Sequence, residues 1–136
     1  MANPENAKPL GPADGIKALQ KTLEDPRIEF RRGHLSMDIA DLHLAFADDD
    51  DFTAATLAIG REIAIALRDP VKYGAELSGN LRGLRRAAFP PLDSRDACLR
   101  LVIEPLPKGR MRLYAFRHRH SPPKPYALVR QRRTTK

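Results

Sequence analysis

The residues best suited to chemistry lie close together near the end of the chain, in the segment FRHRHSPPKPY at residues 116–126. His118 and His120 are separated by one residue, and an imidazole, which titrates near neutral pH, can accept or donate a proton. Tyr126 could donate a proton or stack on a nucleic-acid base. Arginines bind phosphate through several N–H groups. The segment therefore combines groups that can hold an anion with groups that can move a proton.

These side chains do not predict a metal or a cofactor. Two histidines at this spacing could share a metal ion, but the sequence offers no evident third ligand. The glycines of LRGLRR at residues 81–86 match neither a phosphate-binding loop nor a dinucleotide fingerprint. Cys98 is the only cysteine and stands between apolar residues, which excludes a cysteine metal cluster and an intrachain disulfide. We therefore expect no metal site and no cofactor.

Charge is distributed unevenly along the chain, which has a net charge of +7. Residues 1–75 contain 9 Lys/Arg and 13 Asp/Glu, a net of −4, whereas residues 76–136 contain 15 and 4, a net of +11. A cationic half attracts phosphates over long distances. Tyr114, Phe116 and Tyr126 interleave with these charges. The pattern predicts RNA or another polyanion as a partner, the alternative being a basic surface that is merely solvated.

The length of 136 residues suits one domain plus an extension. No apolar run approaches the ~18 residues that a membrane-spanning helix requires. The N-terminal sequence MANPENAKPLGPADG has neither the charged nor the apolar region of a signal peptide. We therefore expect a cytoplasmic protein with no membrane partner.

The residue patterns suggest a division at Met37. Residues 1–36 have the features of an extension, with a breaker-rich arm and one short amphipathic helix from Asp14 to Glu24 whose apolar residues recur at helical spacing. Residues 37–136 have the features of a complete α+β domain. We predict a helical hairpin packed on a curved, mainly antiparallel sheet of four or five strands.

Some elements of this domain are more clearly marked than others. A helix with Asp50 or Asp51 as its N-cap ends near Arg68, since an acidic run precedes it and Pro70 follows it. The clearest strand is Leu99–Glu104, which forms a hairpin with Arg110–Arg117. The other predicted elements are a first strand at Ile39–Phe46, a second helix at Val71–Leu77, a strand at Leu81–Phe89 and a last strand at Tyr126–Val129.

Alternation along Arg110–Arg117 predicts the direction of each side chain in that strand. Met111, Leu113 and Ala115 should face the core, because alternate residues of a strand share a face. Tyr114 and Phe116 should then lie with the arginines on a mixed basic and aromatic surface.

The order of these elements, together with LRGLRR, LRLVIE and FRHRHSPPKPY, resembles the RelE/ParE superfamily of toxins from toxin–antitoxin systems. The likeness covers residues 37–133. Its motifs are a Gly- and Arg-rich stretch after the helical hairpin, an arginine that opens the central strand, and a basic loop that leads to a tyrosine. The matching residues are Gly79, Leu81, Gly83, Leu84, Arg85, Arg86, Arg100, Tyr126 and, one place off, Arg130.

In its RelE branch, the resemblance implies a ribosome-dependent endoribonuclease that cuts mRNA without a metal. The expected partners are a cognate antitoxin, acidic in character, and the ribosome with its mRNA. Cleavage of RNA by its own 2′-hydroxyl needs a base, cations that stabilise the phosphorane, and an acid for the 5′-oxygen. The candidate catalytic residues are Arg100, His118, His120 and Tyr126. The candidate RNA- or phosphate-binding residues are Arg82, Arg85, Arg86, Arg112, Arg117 and Arg119.

Two alternatives remain open. A ParE-like or relic toxin would keep the fold and inhibit a partner such as DNA gyrase without cutting RNA. Arginines, which do not readily release protons, stand where the RelE branch usually has lysines, and this departure favours the non-enzymatic toxin, whereas His118, His120 and Tyr126 favour the nuclease. A basic RNA- or DNA-binding protein of unrelated fold, ribosome-associated or phage-encoded, is the second. In either case the arginines would bind a polyanion without taking part in catalysis, and Tyr126 could be a core aromatic residue.

Overall fold

A computed structural model describes residues 10–134 of the chain. This part is an α+β fold in which four helices pack around one five-stranded open sheet. The strand order is β1-β5-β4-β3-β2, with β1 parallel to β5 and the other neighbours antiparallel. The elements are α1 (Pro12–Thr22), β1 (Ile28–Glu29), α2 (Arg32–Ala45), α3 (Asp49–Arg68), β2 (Ala75–Glu76), β3 (Arg85–Phe89), β4 (Leu99–Pro105), β5 (Met111–His118) and α4 (Pro125–Thr134). The α+β class is confirmed, and the sheet is mixed.

The predicted helix before Pro70 is confirmed as α3. Its N-cap is Asp48, whose carboxylate accepts a hydrogen bond from the backbone N–H of Asp51 at 3.0 Å. The acidic residues that follow stabilise the positive end of the helix dipole. One face of α3 is buried in the main core, where Phe52, Ile59 and Ile63 are almost fully enclosed.

The strand predicted at Ile39–Phe46 is wrong, because these residues belong to α2 and its C-cap. Their apolar residues fit both the alternation of a strand and the spacing of a helix. Leu35, Ile39 and Leu42 recur at helical spacing and pack into the core, whereas Leu44, which the strand pattern required inside, is exposed.

The boundary drawn at residue 37 lies inside α2. Helix α1, predicted within the extension, packs along α3 and contributes Leu19 and Leu23 to the main core. Strand β1 pairs with β5 through Ile28 and Met111. Residues 12–36 therefore form part of the same folded unit, and the arm at residues 1–9 lies outside the described residues.

Two further predicted elements differ in the structure. The helix expected at Val71–Leu77 is a 3-10 turn, Pro70–Lys72, followed by β2. The positive φ of Gly74 ends the helical path, and Gly74 lies so close to the Arg86 carbonyl that a Cβ would not fit. The helix that packs against α3 is therefore α1, and not a helix that follows Pro70. The last strand, expected at Tyr126–Val129, is instead the first half of α4.

The hairpin of β4 and β5 is confirmed, but the directions of some β5 side chains differ from the prediction. A register shift lies between Val102 and Ile103, which pair with Ala115 and Leu113 and leave Tyr114 as an extra residue. This bulge reverses the alternation. Phe116 therefore joins the main core, and Ala115 points to the opposite face.

The opposite face of the sheet carries a second, smaller core beneath α4. Its buried members are Leu81, Leu84, Val102, Ala115, Leu128 and Val129. None of the described helices is long and apolar enough to cross a membrane.

Candidate nucleic-acid interface

Sheet register brings two predicted arginines to the α4 face of the sheet. Arg86 pairs with Val102 in β3 and β4, and Ala88 pairs with Arg100, so both arginines lie on the side where Val102 is buried under α4. Arg100 is fixed at the start of β4, because its Nη1 donates to the carbonyl of Ala97 at 2.7 Å and to that of Leu99 at 3.1 Å.

The loop after β5 and the start of α4 complete a shallow basic cavity of about 330 Å³. We call it the Tyr126 cavity. Its lining residues are Arg86, Arg100, Arg119, Lys124, Pro125 and Tyr126. Four of these six were candidate site residues from the sequence.

Tyr126 supplies an aromatic surface to this cavity. The residue is half-buried in the first turn of α4, and its ring packs partly against the small core. The guanidinium carbon of Arg86 lies 5.9 Å from the ring centroid, within the range of a cation–π contact. Tyr126 can therefore pack against the small core and also offer a surface for stacking.

Other predicted phosphate ligands lie elsewhere. Arg85 points to the other face of β3, where its Nε donates to the carbonyl of Tyr73 and its Nη2 to that of Gly74. Arg82 is exposed in the turn before β3, outside the cavity lining. Strand alternation therefore separates Arg85 from Arg86, and Arg82 lies before the strand begins.

Arg117 is buried and belongs to an ion cluster, not to the surface. The cluster comprises Arg117, Arg132, Asp38 and Asp41 and joins β5, α4 and α2. Arg132 binds Asp38 with both terminal nitrogens, at 2.7 and 2.8 Å. Arg117 lies 3.1 Å from Asp41 and 3.7 Å from Asp38. Because its charge is compensated there, Arg117 cannot reach a phosphate without breaking the cluster.

Asp38 has a further structural role. One of its carboxylate oxygens accepts a hydrogen bond from the backbone N–H of Phe116 at 3.3 Å. Strand β1 is too short to pair with this part of β5. The bond to Asp38 therefore satisfies a backbone N–H of β5 that would otherwise be unpaired, at the place where α2 lies beside the sheet. The same carboxylate therefore anchors the last helix and binds the part of β5 that β1 does not reach.

Arg112 lines a second cavity, of about 440 Å³, near the other end of α4. We call it the Arg31 cavity. Arg112 lies in it with its guanidinium 2.8 Å from Glu104 and 3.6 Å from Glu29. Further basic and aromatic residues of the lining are Arg31, His34, Tyr114, Arg132 and Arg133. The sequence did not point to this site, because residues 31–34 fell in the segment interpreted as an extension.

His118 and His120 lie beside the Tyr126 cavity without lining it. Their ring centroids are 5.7 Å apart, and His118 also packs edge-on against Phe46 at 5.6 Å. Burial, together with the neighbouring His120 and Arg119 side chains, lowers the pKa of His118. This environment favours the neutral form of the His118 imidazole.

Hydrogen bonds occupy an acceptor nitrogen of each imidazole. The backbone N–H of His120 donates to Nδ1 of His118 at 3.1 Å, and Nε of Arg119 donates to Nε2 of His120 at 3.1 Å. Neutral His118 accordingly carries its proton on Nε2. Either ring could act as a general base only after its hydrogen bond breaks.

Among the described residues, no group of three or more His, Cys, Asp and Glu side chains could hold a metal ion. Burial raises the pKa of the Cys98 thiol, which agrees with a packing role for this residue. No family model, curated protein or solved structure matched the chain. Function is therefore inferred from the geometry of the site.

Proposed function

We propose that this protein binds single-stranded RNA at the Tyr126 cavity. The observation that carries the proposal is the convergence of Arg86, Arg100, Arg119 and Tyr126, from three separate segments of the chain, on one exposed concavity. Arg119 and Lys124 are exposed and can contact successive phosphates, while Tyr126 offers a ring on which a base can stack. Such contacts read the backbone and the stacking face, so the binding tolerates many sequences.

The Arg31 cavity extends this surface along α4. The helix has 10 residues, a length of about 15 Å, which a strand of a few nucleotides can span. Arg31 and Arg133 at the far end would then contact the backbone that leaves the Tyr126 cavity. An RNA strand lying along α4 would thus meet positive charge at both ends of the helix.

The proposal predicts that specific arginines and lysines set the salt dependence of RNA affinity. In a titration of a labelled single-stranded RNA, substituting alanine at Arg86, Arg119 and Lys124 should reduce the slope of log affinity against log salt by about 2, since each lost phosphate contact on a single strand removes about 0.7. A matched control carries alanine at Arg61, Arg68 and Lys72, which are exposed on and after α3.

Both triple variants lose the same net charge. A difference between their slopes therefore depends on where the charges lie and not on how many are lost. The slope of the control variant should stay near that of the wild type. Equal losses in the two variants would show that RNA recognises only the overall charge, and the assignment to the Tyr126 cavity would fail.

A second candidate function is RNA cleavage, which the resemblance to ribosome-dependent toxins implies. The observation that favours it is the pair His118 and His120 beside Arg119, in surroundings that lower the pKa of His118 and so favour the unprotonated form that a general base needs. Under this candidate the protein is a toxin that an antitoxin neutralises and that cuts mRNA on the ribosome. The occupied imidazole nitrogens make binding the better supported function.

Cleavage can be tested by mapping mRNA ends after induction of the chain in cells. Substituting His118 or His120 by glutamine should lower cleavage ~10²–10⁴-fold, and Arg100→Ala ~10²-fold or more. DNA supercoiling is measured in the same cells. Growth arrest without new mRNA ends would contradict cleavage, and altered supercoiling would point to the alternative of a topoisomerase inhibitor.

A further inference from the structure

Helix α2 presents an apolar stripe to solvent on the side opposite to the core. The stripe consists of Gly33, Met37, Ala40 and Leu44, whose spacing of four, three and four residues places them on one face. All four are exposed, Met37 by 55% and Leu44 by 83%. A helix that is apolar on both sides is usually covered on both sides.

The stripe is complementary to itself in an antiparallel arrangement. Small and large residues alternate along it, and the pair Gly33 and Leu44 has the same midpoint as the pair Met37 and Ala40. If two copies pack antiparallel through this face, Leu44 lies opposite Gly33 of the second copy and Met37 lies opposite Ala40. A parallel arrangement would instead place leucine against leucine and glycine against glycine, which leaves a gap.

Charge at the two ends of α2 favours the same arrangement. Arg31 and Arg32 stand at its beginning, and Asp48, Asp49 and Asp50 follow its end. In the antiparallel pair the basic end of each helix approaches the acidic segment of the other copy. A parallel pair would bring like charges together.

We propose that α2 forms a two-fold symmetric contact with a second copy of this chain through Gly33, Met37, Ala40 and Leu44. The contact is isologous, so each apolar pair and each charge contact occurs twice. A single helix face is small beside the ~1,200–2,000 Å² that stable interfaces bury. The self-association is therefore weak and reversible.

Sedimentation equilibrium over a wide range of protein concentration tests this contact. The wild type should pass reversibly from monomer to dimer, and Leu44→Glu should weaken the dimer at least ~10-fold, because a charge would be buried at the contact. Ile65→Glu, on the exposed side of α3, is the matched control and should leave dimerisation unchanged. A monomer at every concentration, or a dimer that Leu44→Glu leaves intact, would overturn the proposal.

A charge exchange tests the antiparallel direction. Arg32→Glu and Asp49→Lys should each weaken the dimer, and the two substitutions combined in one chain should restore it, since the attraction returns with its signs reversed. Circular dichroism confirms that each variant is folded. Additive losses in the combined variant would overturn the antiparallel arrangement.

Discussion

The two faces of the sheet are stabilised in different ways. On one face, α2 and α3, with α1 packed along α3, form with the sheet a continuous apolar core that includes Leu19 and Phe116. Helix α4 covers the other face with a small apolar patch and is held by the pairing of Arg132 with Asp38. Basic residues collect around the second face, where the apolar patch leaves space at both ends of α4.

The chain thus places its main apolar core on one face of the sheet and most of the basic residues discussed above on the other. A large apolar core tolerates few charges, and Arg86 of β3, Arg100 of β4 and the arginines of α4 lie on or beside the face with the smaller core. On the α4 face, the buried ion cluster holds the helix in place where the apolar contact area is small. It also makes α4, which lies between the two basic cavities, dependent on a carboxylate in α2.

The largest effect should come from removing residues 1–36. That deletion removes α1 and β1 and cuts into α2, which exposes the apolar face of α3. We expect the remaining fragment to be unfolded by circular dichroism and to lack a cooperative thermal transition. A cooperative transition in the fragment would show that the core on this face does not need α1.

Loss of Asp38 should be the most damaging single change on the α4 face. Asp38→Ala leaves Arg132 buried without its main partner, which should cost about 3–5 kcal/mol in urea unfolding. Adding Arg132→Met should recover part of this loss, because the unpaired charge is then removed. Asp25→Ala, which breaks an exposed pair with Arg27, is the control and should leave the unfolding free energy within error. Equal effects of Asp38→Ala and Asp25→Ala would contradict the role of the cluster.

Leucine truncations compare the two cores directly. Leu19→Ala should cost about 4 kcal/mol, since Leu19 is fully enclosed between α1 and α3. Leu128→Ala in α4 should cost about 2 kcal/mol, because a small core near the chain end collapses more easily around the missing atoms. Chemical denaturation measures both, and a larger loss for Leu128→Ala would reverse the comparison.

The smallest effect is a pH dependence that arises from His118. Its pKa is lowered in the folded protein, so between that pKa and the unfolded value of 6.5 the unfolded state binds more protons. Stability should therefore fall as pH decreases below 6.5. His118→Gln should reduce this slope, and His43→Gln, at an exposed position on α2, is the matched control. An unchanged slope in His118→Gln would contradict the assignment.

Much of the fold on the α1/α3 face could be predicted from local patterns. Helix α3 has an acidic cap and a proline stop, and β4 and β5 alternate regularly until the bulge at Tyr114. The errors arose where local patterns allow two solutions. Residues 39–46 fit a strand and a helix equally, and their burial against β5, which is distant in sequence, decides between them.

The candidate site was predictable in its residue types and less so in its geometry. Arg86, Arg100, Arg119 and Tyr126 line one cavity, although no local pattern could show that Arg85 turns to the other face. Arg117 could not be distinguished from a surface arginine, because its partners lie in α2, far away in the sequence. Lys124 stands in the same segment as Tyr126, and that proximity was the available signal.

The most direct test of RNA binding at the Tyr126 cavity is photochemical cross-linking of a single-stranded RNA containing 4-thiouridine, with the attached peptides identified by mass spectrometry. The account predicts cross-links within residues 119–126, chiefly at Tyr126, and their loss when excess unlabelled RNA competes. Cross-links confined to the α1 and α3 surface, for example near Arg61 or Arg68, would contradict it.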